Sequence, residues 1–263
     1  MDIGLSSACF YPNVYTENSI EKMKDLGFNH GEIFLNTASE YEEEFLKGLL
    51  EKKEHYKFNV NSVHALSSCF EPYLFDEYDR RRKDMLKHFK KVCRAAKILG
   101  ASCYTFHGMR YTNFDELDSK FVIDIYNELS YIAIETGIKL AQENVSWCMS
   151  SDLKFLELLS VECKYPIYFT LDLKQACRAN VSIEKYIEVM GSNIVNLHIN
   201  DRDENSFCLL PGKGNLNYEN ISDNLKSVGY SGKGIIEVYN NNYSKFEELT
   251  EAKDYVSKIF NCK

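Results

Sequence analysis

The stretch 194-IVNLHINDRD-203 places a histidine and then an aspartate at the exit of an apolar, β-like run. His198 is one of four chemistry-bearing residues at or near the ends of such runs, the others being Glu143, Asp172 and Glu237. If all four point into one interior, three carboxylates and one imidazole converge. Buried like charges repel, each ionised acid raises its neighbours' pKa, and a divalent cation removes that penalty. An oxygen-rich set with one imidazole suits Mn²⁺, Zn²⁺, Mg²⁺ or Co²⁺ better than copper or iron–sulfur chemistry. Taken singly, such residues have plainer uses. A strand-end histidine can simply be a satisfied polar residue, and Asp172 can cap a following helix. Four of them on four successive strands favour one divalent ion held by Glu143, Asp172, His198 and Glu237. Carboxylates beside a cation can also trade protons with a substrate carbon, so Glu143 and Glu237 are candidate acid and base, or else ligands only.

A repeating frame must position them. Short β-like runs occur at 3–7, 31–35, 59–64, 102–107, 138–144, 167–172, 194–199 and 234–239. Amphipathic helical patterns lie near 17–26, 41–57, 77–99, 115–136, 151–163, 182–190, 217–228 and 245–260. Gly27, Gly100, Gly137, Gly191 and Gly229 follow helical stretches, where a left-handed residue ends a helix. Strict alternation predicts a parallel sheet with helices outside. Eight units in 263 residues predict a single-domain (β/α)₈ TIM barrel over residues 1–263. An open doubly wound sheet is the other option, weakened because no GxGxxG follows the first strand. A barrel carries its chemistry at the C-terminal strand ends. Besides the four residues above, these ends hold His64 and His107, so three of the six histidines lie there.

Composition excludes several classes of function. A formal net charge of −8 argues against coating nucleic acid or an anionic membrane. No apolar run reaches the roughly 18 residues that a membrane-spanning helix needs. The opening MDIGLSSACF has neither the basic nor the apolar region of a signal peptide. Nine scattered cysteines without CxxC spacing are expected to be reduced, as in a cytoplasmic protein.

The order and flanks of these residues resemble the xylose isomerase-like barrel superfamily, the sugar phosphate isomerase/epimerase group that also contains endonuclease IV. The resemblance rests on 27-GFNHGEIFL-35, 98-ILGASCYTFHG-108, 137-GIKLAQEN-144, 171-LD-172, 197-LHIND-201, 212-GKGNLNY-218 and 236-IEVY-239. It implies a divalent metal on Glu143, Asp172, His198 and Glu237. It also implies isomerisation or epimerisation of a small sugar-like substrate beside its carbonyl, through a metal-stabilised enediolate, with the two glutamates as acid and base. His64 and His107 match strand-end histidines that bind substrate or, in endonuclease IV-like members, further zinc. Gln175 stands where many members have histidine and is expected to bind a hydroxyl. Lys213 stands where a glutamate is common. Glu32 matches a frequent glutamate that orients a neighbour or pairs at the rim.

Other expectations come from position. Arg202 can reach a phosphate or carboxylate, or pair with Asp201 and Asp203. Asp201 can support His198 or cap a loop. Phe10, Tyr11, Tyr111 and Trp147 are candidates to stack on a sugar face, and 67-SSCFEPYLFDEYDRRR-82 is a candidate lid or oligomer contact. Gln142, beside Glu143, should face the helix layer, where an apolar residue is usual. The competing functions are an inosose-type dehydratase, a non-catalytic ligand-binding barrel, and an endonuclease IV-like enzyme. The last is disfavoured by the negative charge and the absence of Asp-x-His after the seventh strand.

Overall fold

The computed structural model describes residues 1–261. Eight strands follow one another in the chain: β1 (Ile3–Ser6), β2 (His30–Leu35), β3 (Asn59–Ala65), β4 (Cys103–Phe106), β5 (Lys139–Glu143), β6 (Tyr168–Asp172), β7 (Ile194–Ile199) and β8 (Gly234–Ile236). Each pairs in parallel with the next, and β8 closes on β1 with Ile3 opposite Gly234 and Leu5 opposite Ile236. The closed parallel sheet with helices outside is a (β/α)₈ TIM barrel, as the alternation predicts.

The outer helices are α1 (Thr16–Asp25), α2 (Glu43–His55), α3 (Asp79–Leu99), α4 (Ser119–Thr136), α5 (Leu153–Glu162), α6 (Leu173–Arg178), α7 (Ile183–Met190), α8 (Tyr218–Ser227) and α9 (Glu247–Asn261). Gly100 (φ 71°) and Gly137 (φ 81°) end α3 and α4 in the left-handed region, where a side chain is strained. Helix α6 falls outside the predicted stretches. It is short and starts directly at the strand end, where the Asp172 carboxylate accepts a hydrogen bond from the Gln175 N–H at 3.0 Å. One residue thus serves as both helix cap and candidate ligand.

Strand alternation sorts the side chains into two layers. Ile33, Val63, Phe106, Leu171 and Leu197 face the helices and are fully buried. Phe106 there meets Phe89, Tyr104 and Tyr126 edge to face or nearly so, with ring centroids about 6 Å apart. The opposite face carries Ser6, Glu32, Ser62, Thr105, Thr170 and Asn196, all fully buried. The barrel interior is therefore a hydrogen-bonded polar layer, where branched aliphatic residues are usual.

One loop expectation changes. In the 67–82 segment, the turns Ser67–Cys69 and Glu71–Phe75 bury Glu71, Leu74 and Phe75 against the barrel, so this part is fixed packing and not a free lid. Gln142 faces the helix layer, and the structure supplies its reason. Its carbonyl accepts the Tyr126 hydroxyl at 2.6 Å, and its amide donates to the Phe106, His107 and Glu143 carbonyls at 2.9–3.1 Å. Gln142 thereby ties the exits of β4 and β5 together. Replacing it by Leu leaves these groups buried and unpaired, so Gln142→Leu should lose about 1–3 kcal/mol of stability. A lower denaturant midpoint at constant slope checks this, and an unshifted midpoint refutes it.

Candidate active site and metal centre

At the C-terminal rim, β5, β6, β7 and the residue after β8 bring Glu143, Asp172, His198 and Glu237 together, with one donor atom of each within 4.8 Å of the others. The His198 ring is the hinge of the set. Its Nδ1 lies 3.1 Å from Glu237 Oε2, 3.2 Å from Glu143 Oε1 and 3.6 Å from Asp172 Oδ2. Its Nε2 faces the opposite way, 3.0 Å from Glu32 Oε2. Glu32 is in turn held by the Ser62 hydroxyl at 2.7 Å, the Thr105 hydroxyl at 3.0 Å and the Asn196 amide at 3.2 Å. A carboxylate behind a ligand histidine fixes its tautomer, leaving the other nitrogen's lone pair for a cation.

Burial opposes the charge on His198, Glu143 and Glu237, and the neighbours outweigh it. The Glu237 and Glu32 carboxylates hold the His198 ring well above its ordinary pKa. His107 and His198 draw Glu143 well below the carboxylate range, and His198 and Lys174 do the same for Glu237. Cationic His198 and Lys174 thus balance the acids' charge, the part a divalent ion would take. The residues fit a divalent cation on a further observation: Asp172 Oδ2 is buried and accepts no hydrogen bond among the described residues, with the Lys174 ammonium beside it at 3.3 Å, whereas Asp172 Oδ1 accepts from Gln175 and Asn200.

His64 and His107 form a second tier above this cluster. Their Nε2 atoms are 2.8 Å apart, and His107 Nε2 is also 2.8 Å from Glu143 Oε2. His64 Nδ1 is 3.5 Å from both Glu32 and Glu237. Burial lowers the His64 pKa, but these carboxylates raise it to about 10. Among the described residues, His64, His107 and Glu143 also make a group of metal-binding geometry, sharing Glu143 with the first.

Above the rim opens a cavity of about 360 Å³, of the size that takes a small molecule. Glu143, Glu237, His64, His107 and Gln175 line it, while Asp172 and His198 lie beneath its floor. Gln175 gives its side-chain oxygen to the Ser146 N–H and hydroxyl, leaving the amide nitrogen for a ligand. Tyr11 and Trp147 line the cavity as expected of stacking residues, whereas Phe10 is buried in the core and Tyr111 points elsewhere.

Arg202 is not brought to the cavity. It is exposed, and its guanidinium lies against Cys177. Asp201 is a loop cap: its carboxylate accepts from the Gly212, Gly214 and Leu216 N–H groups at 3.0–3.2 Å. Lys213 is exposed and does not line the cavity either.

Three contributors escaped sequence reasoning. Lys174 is buried, with its ammonium 3.3 Å from both Asp172 Oδ2 and Glu237 Oε2. Its position two residues after Asp172, at a strand exit, was its only signal. Glu71, in a loop with no regular pattern, accepts from the His107 and Gly108 N–H groups at 2.7 and 2.9 Å and from the Tyr104 hydroxyl. Arg178, one turn beyond Lys174 on α6, also lines the cavity.

The family described as xylose isomerase-like TIM barrel matches residues 20–259. The chain belongs to that family. An uncharacterised protein of Methanocaldococcus jannaschii is 26% identical over 92% of this chain and 84% of the other. A D-tagatose 3-epimerase-like protein superposes with a TM-score of 0.82 at 21% identity, covering 99% of this chain and 98% of that one. The IolI protein, solved with a bound zinc atom, superposes at 0.79 and 20% identity over the full length of both chains. Sugar epimerases and isomerases recur among solved structures of this fold, and the buried acid–histidine cluster supports a divalent metal here.

Two expectations follow. Metal must displace the proton held on His198, so binding should release protons, and affinity should rise with pH while that proton competes. Isothermal titration with Mn²⁺ or Zn²⁺ in buffers of different ionisation enthalpy checks this, and a pH-independent affinity without proton release contradicts it. Glu32→Gln should weaken metal binding roughly 10- to 100-fold, because the His198 ring loses its anionic partner. Unchanged affinity would show that the ring is held by other contacts.

Proposed function

We propose that this barrel is a divalent-metal-dependent isomerase or epimerase of a small sugar or related polyhydroxy carbonyl compound. One observation carries the proposal. Of the four candidate ligands, only Glu143 and Glu237 reach the cavity. They stand on β5 and just after β8, three strands apart around the rim, so a flat substrate between them meets a carboxylate on each face.

Their environment suits that work. Both carboxylates are held in the ionised form, as a base requires. One takes the proton from the carbon beside the carbonyl, and the C–H electrons pass into the carbonyl as an enediolate. For epimerisation the second glutamate takes up a proton from solvent or a substrate hydroxyl and delivers it to the opposite face of the same carbon as the carbonyl re-forms; for isomerisation the first glutamate returns its own proton to the adjacent carbon. His64 and His107 lie where substrate hydroxyls would sit, and Trp147 and Tyr11 offer aromatic faces to the sugar ring. Bound by Glu143, Asp172, His198 and Glu237, a divalent ion such as Mn²⁺, Co²⁺, Mg²⁺ or Zn²⁺ would supply Lewis acidity toward the substrate oxygens. The sugar-epimerase folds among the neighbours support the substrate class, and 360 Å³ suits a monosaccharide better than a duplex.

Exchange of substrate C–H for deuterium in D₂O, followed by NMR over a panel of ketoses and inososes, tests this. Exchange should appear with at least one compound and fall about 10²- to 10⁴-fold in both Glu143→Gln and Glu237→Gln. His198→Ala should lose the metal as well. Full exchange in either glutamate variant, with metal content unchanged, would remove that residue from the chemistry.

A further inference from the structure

The cavity wall contributed by α6 carries two cations in very different states. Lys174 and Arg178 are four residues apart, so they share one face of the helix about 6 Å apart along it. The Lys174 ammonium is buried and compensated by Asp172 and Glu237, each at 3.3 Å. Arg178 lines the same cavity with no carboxylate within 4.0 Å among the described residues. Its guanidinium is nevertheless held in place. Nη1 donates to the Tyr239 hydroxyl at 3.0 Å, and the group lies 5.7 Å from the Tyr239 ring centroid. Lys174 approaches the same ring, at 5.1 Å. Four further N–H donors of the Arg178 fork remain for a ligand.

A second arginine is placed in a similar way. Arg110, in the loop after β4, lies 5.6 Å from the ring of Trp147, which lines the cavity. It too has no carboxylate within 4.0 Å among the described residues. In a chain with 39 acidic and 31 basic residues, uncompensated arginines against two cavity aromatics are not the expected arrangement. The cavity's acids do not cancel them, because Glu143 and Glu237 are engaged by His198, His107 and Lys174.

We infer that the substrate carries an anionic group, a phosphate or a carboxylate, at the end remote from the carbonyl, and that Arg178 is the residue that recognises it. The inference rests on the isomerase or epimerase proposal for the site and narrows its substrate class. Arg178 sits one helical turn outward from Lys174, so the anion is read away from the reacting carbons. A planar fork matches phosphate and carboxylate oxygens in pairs, which neutral sugar hydroxyls cannot exploit as fully. Arg178 thereby takes the part that the sequence suggests for Arg202, which lies outside the cavity.

The test compares matched sugars on the metal-loaded protein by isothermal titration: D-fructose with D-fructose 6-phosphate, and D-glucose with D-glucuronate. At least one anionic member should bind roughly tenfold or more tightly than its neutral partner. Arg178→Gln should erase that preference and leave neutral-sugar affinity unchanged, while Arg178→Lys should keep part of it. Arg178 is exposed, so neither variant threatens folding. Equal binding of the neutral and anionic members, no binding by any anionic sugar, or an equal loss for both kinds in Arg178→Gln overturns the inference. Deuterium exchange on the same compounds separates the two proposals. Arg178-dependent anion binding without exchange sinks the isomerase proposal alone. Exchange on neutral sugars without any anion preference sinks this one alone.

Discussion

Four buried carboxylates surround one imidazole in this barrel, and the rest of the rim is organised around making that tolerable. Isolated buried carboxylates are strongly disfavoured in a medium of low polarizability, and several at once more so. Here Glu143, Asp172 and Glu237 face Nδ1 of His198, and Glu32 faces Nε2. Lys174 stands beside Asp172 and Glu237, His107 beside Glu143, and His64 between Glu32 and Glu237. Lys174 and the histidine rings are drawn into the cluster, while Arg178 lines the cavity above it. A divalent ion at the centre would replace the proton on His198 and leave the remaining contacts in place.

The polar barrel interior follows from the same constraint. Glu32 can stay ionised only if its oxygens are hydrogen-bonded, and Ser62, Thr105 and Asn196 provide this from three other strands. An aliphatic interior would pack well but would leave Glu32 with only the His198 and His64 rings. The helix-facing layer, rich in Phe, Tyr, Leu and Val, then carries the apolar packing. Even there, Gln142 and Glu71 spend polar contacts on the β4 exit, where His107 must be aimed.

Charge compensation also explains how the site can separate binding from chemistry. Asp172 and His198 lie below the cavity floor, where a ligand cannot touch them, while Glu143 and Glu237 reach into it. In the proposed function the same four side chains divide into two that hold the metal and two that also react. Beyond them, His64, His107 and Gln175 offer polar contacts, and Tyr11, Trp147 and Tyr239 offer aromatic ones.

Much of this was legible in the chain itself, because it depends on local spacing. Alternating runs of period 2 and period 3.6, with glycines after the helices, dictate eight strand–helix units, and strand-end position singles out Glu143, Asp172, His198 and Glu237. These signals survive because strand direction and side-chain alternation are properties of the backbone. Other features depended on contacts between residues far apart in sequence. Glu32 reaches His198 across 166 positions, and Glu71 reaches His107 across 36 from an unpatterned loop. Whether an arginine after a strand meets the cavity is set by the path of its loop: Asp201 folds the following segment back on itself and Arg202 lies outside, while the short helix capped by Asp172 carries Lys174 and Arg178 inward. The sequence by itself determined the barrel and the inward face of each strand end. Only the tertiary structure decided which charges compensate one another, because that depends on distances that no spacing along the chain encodes.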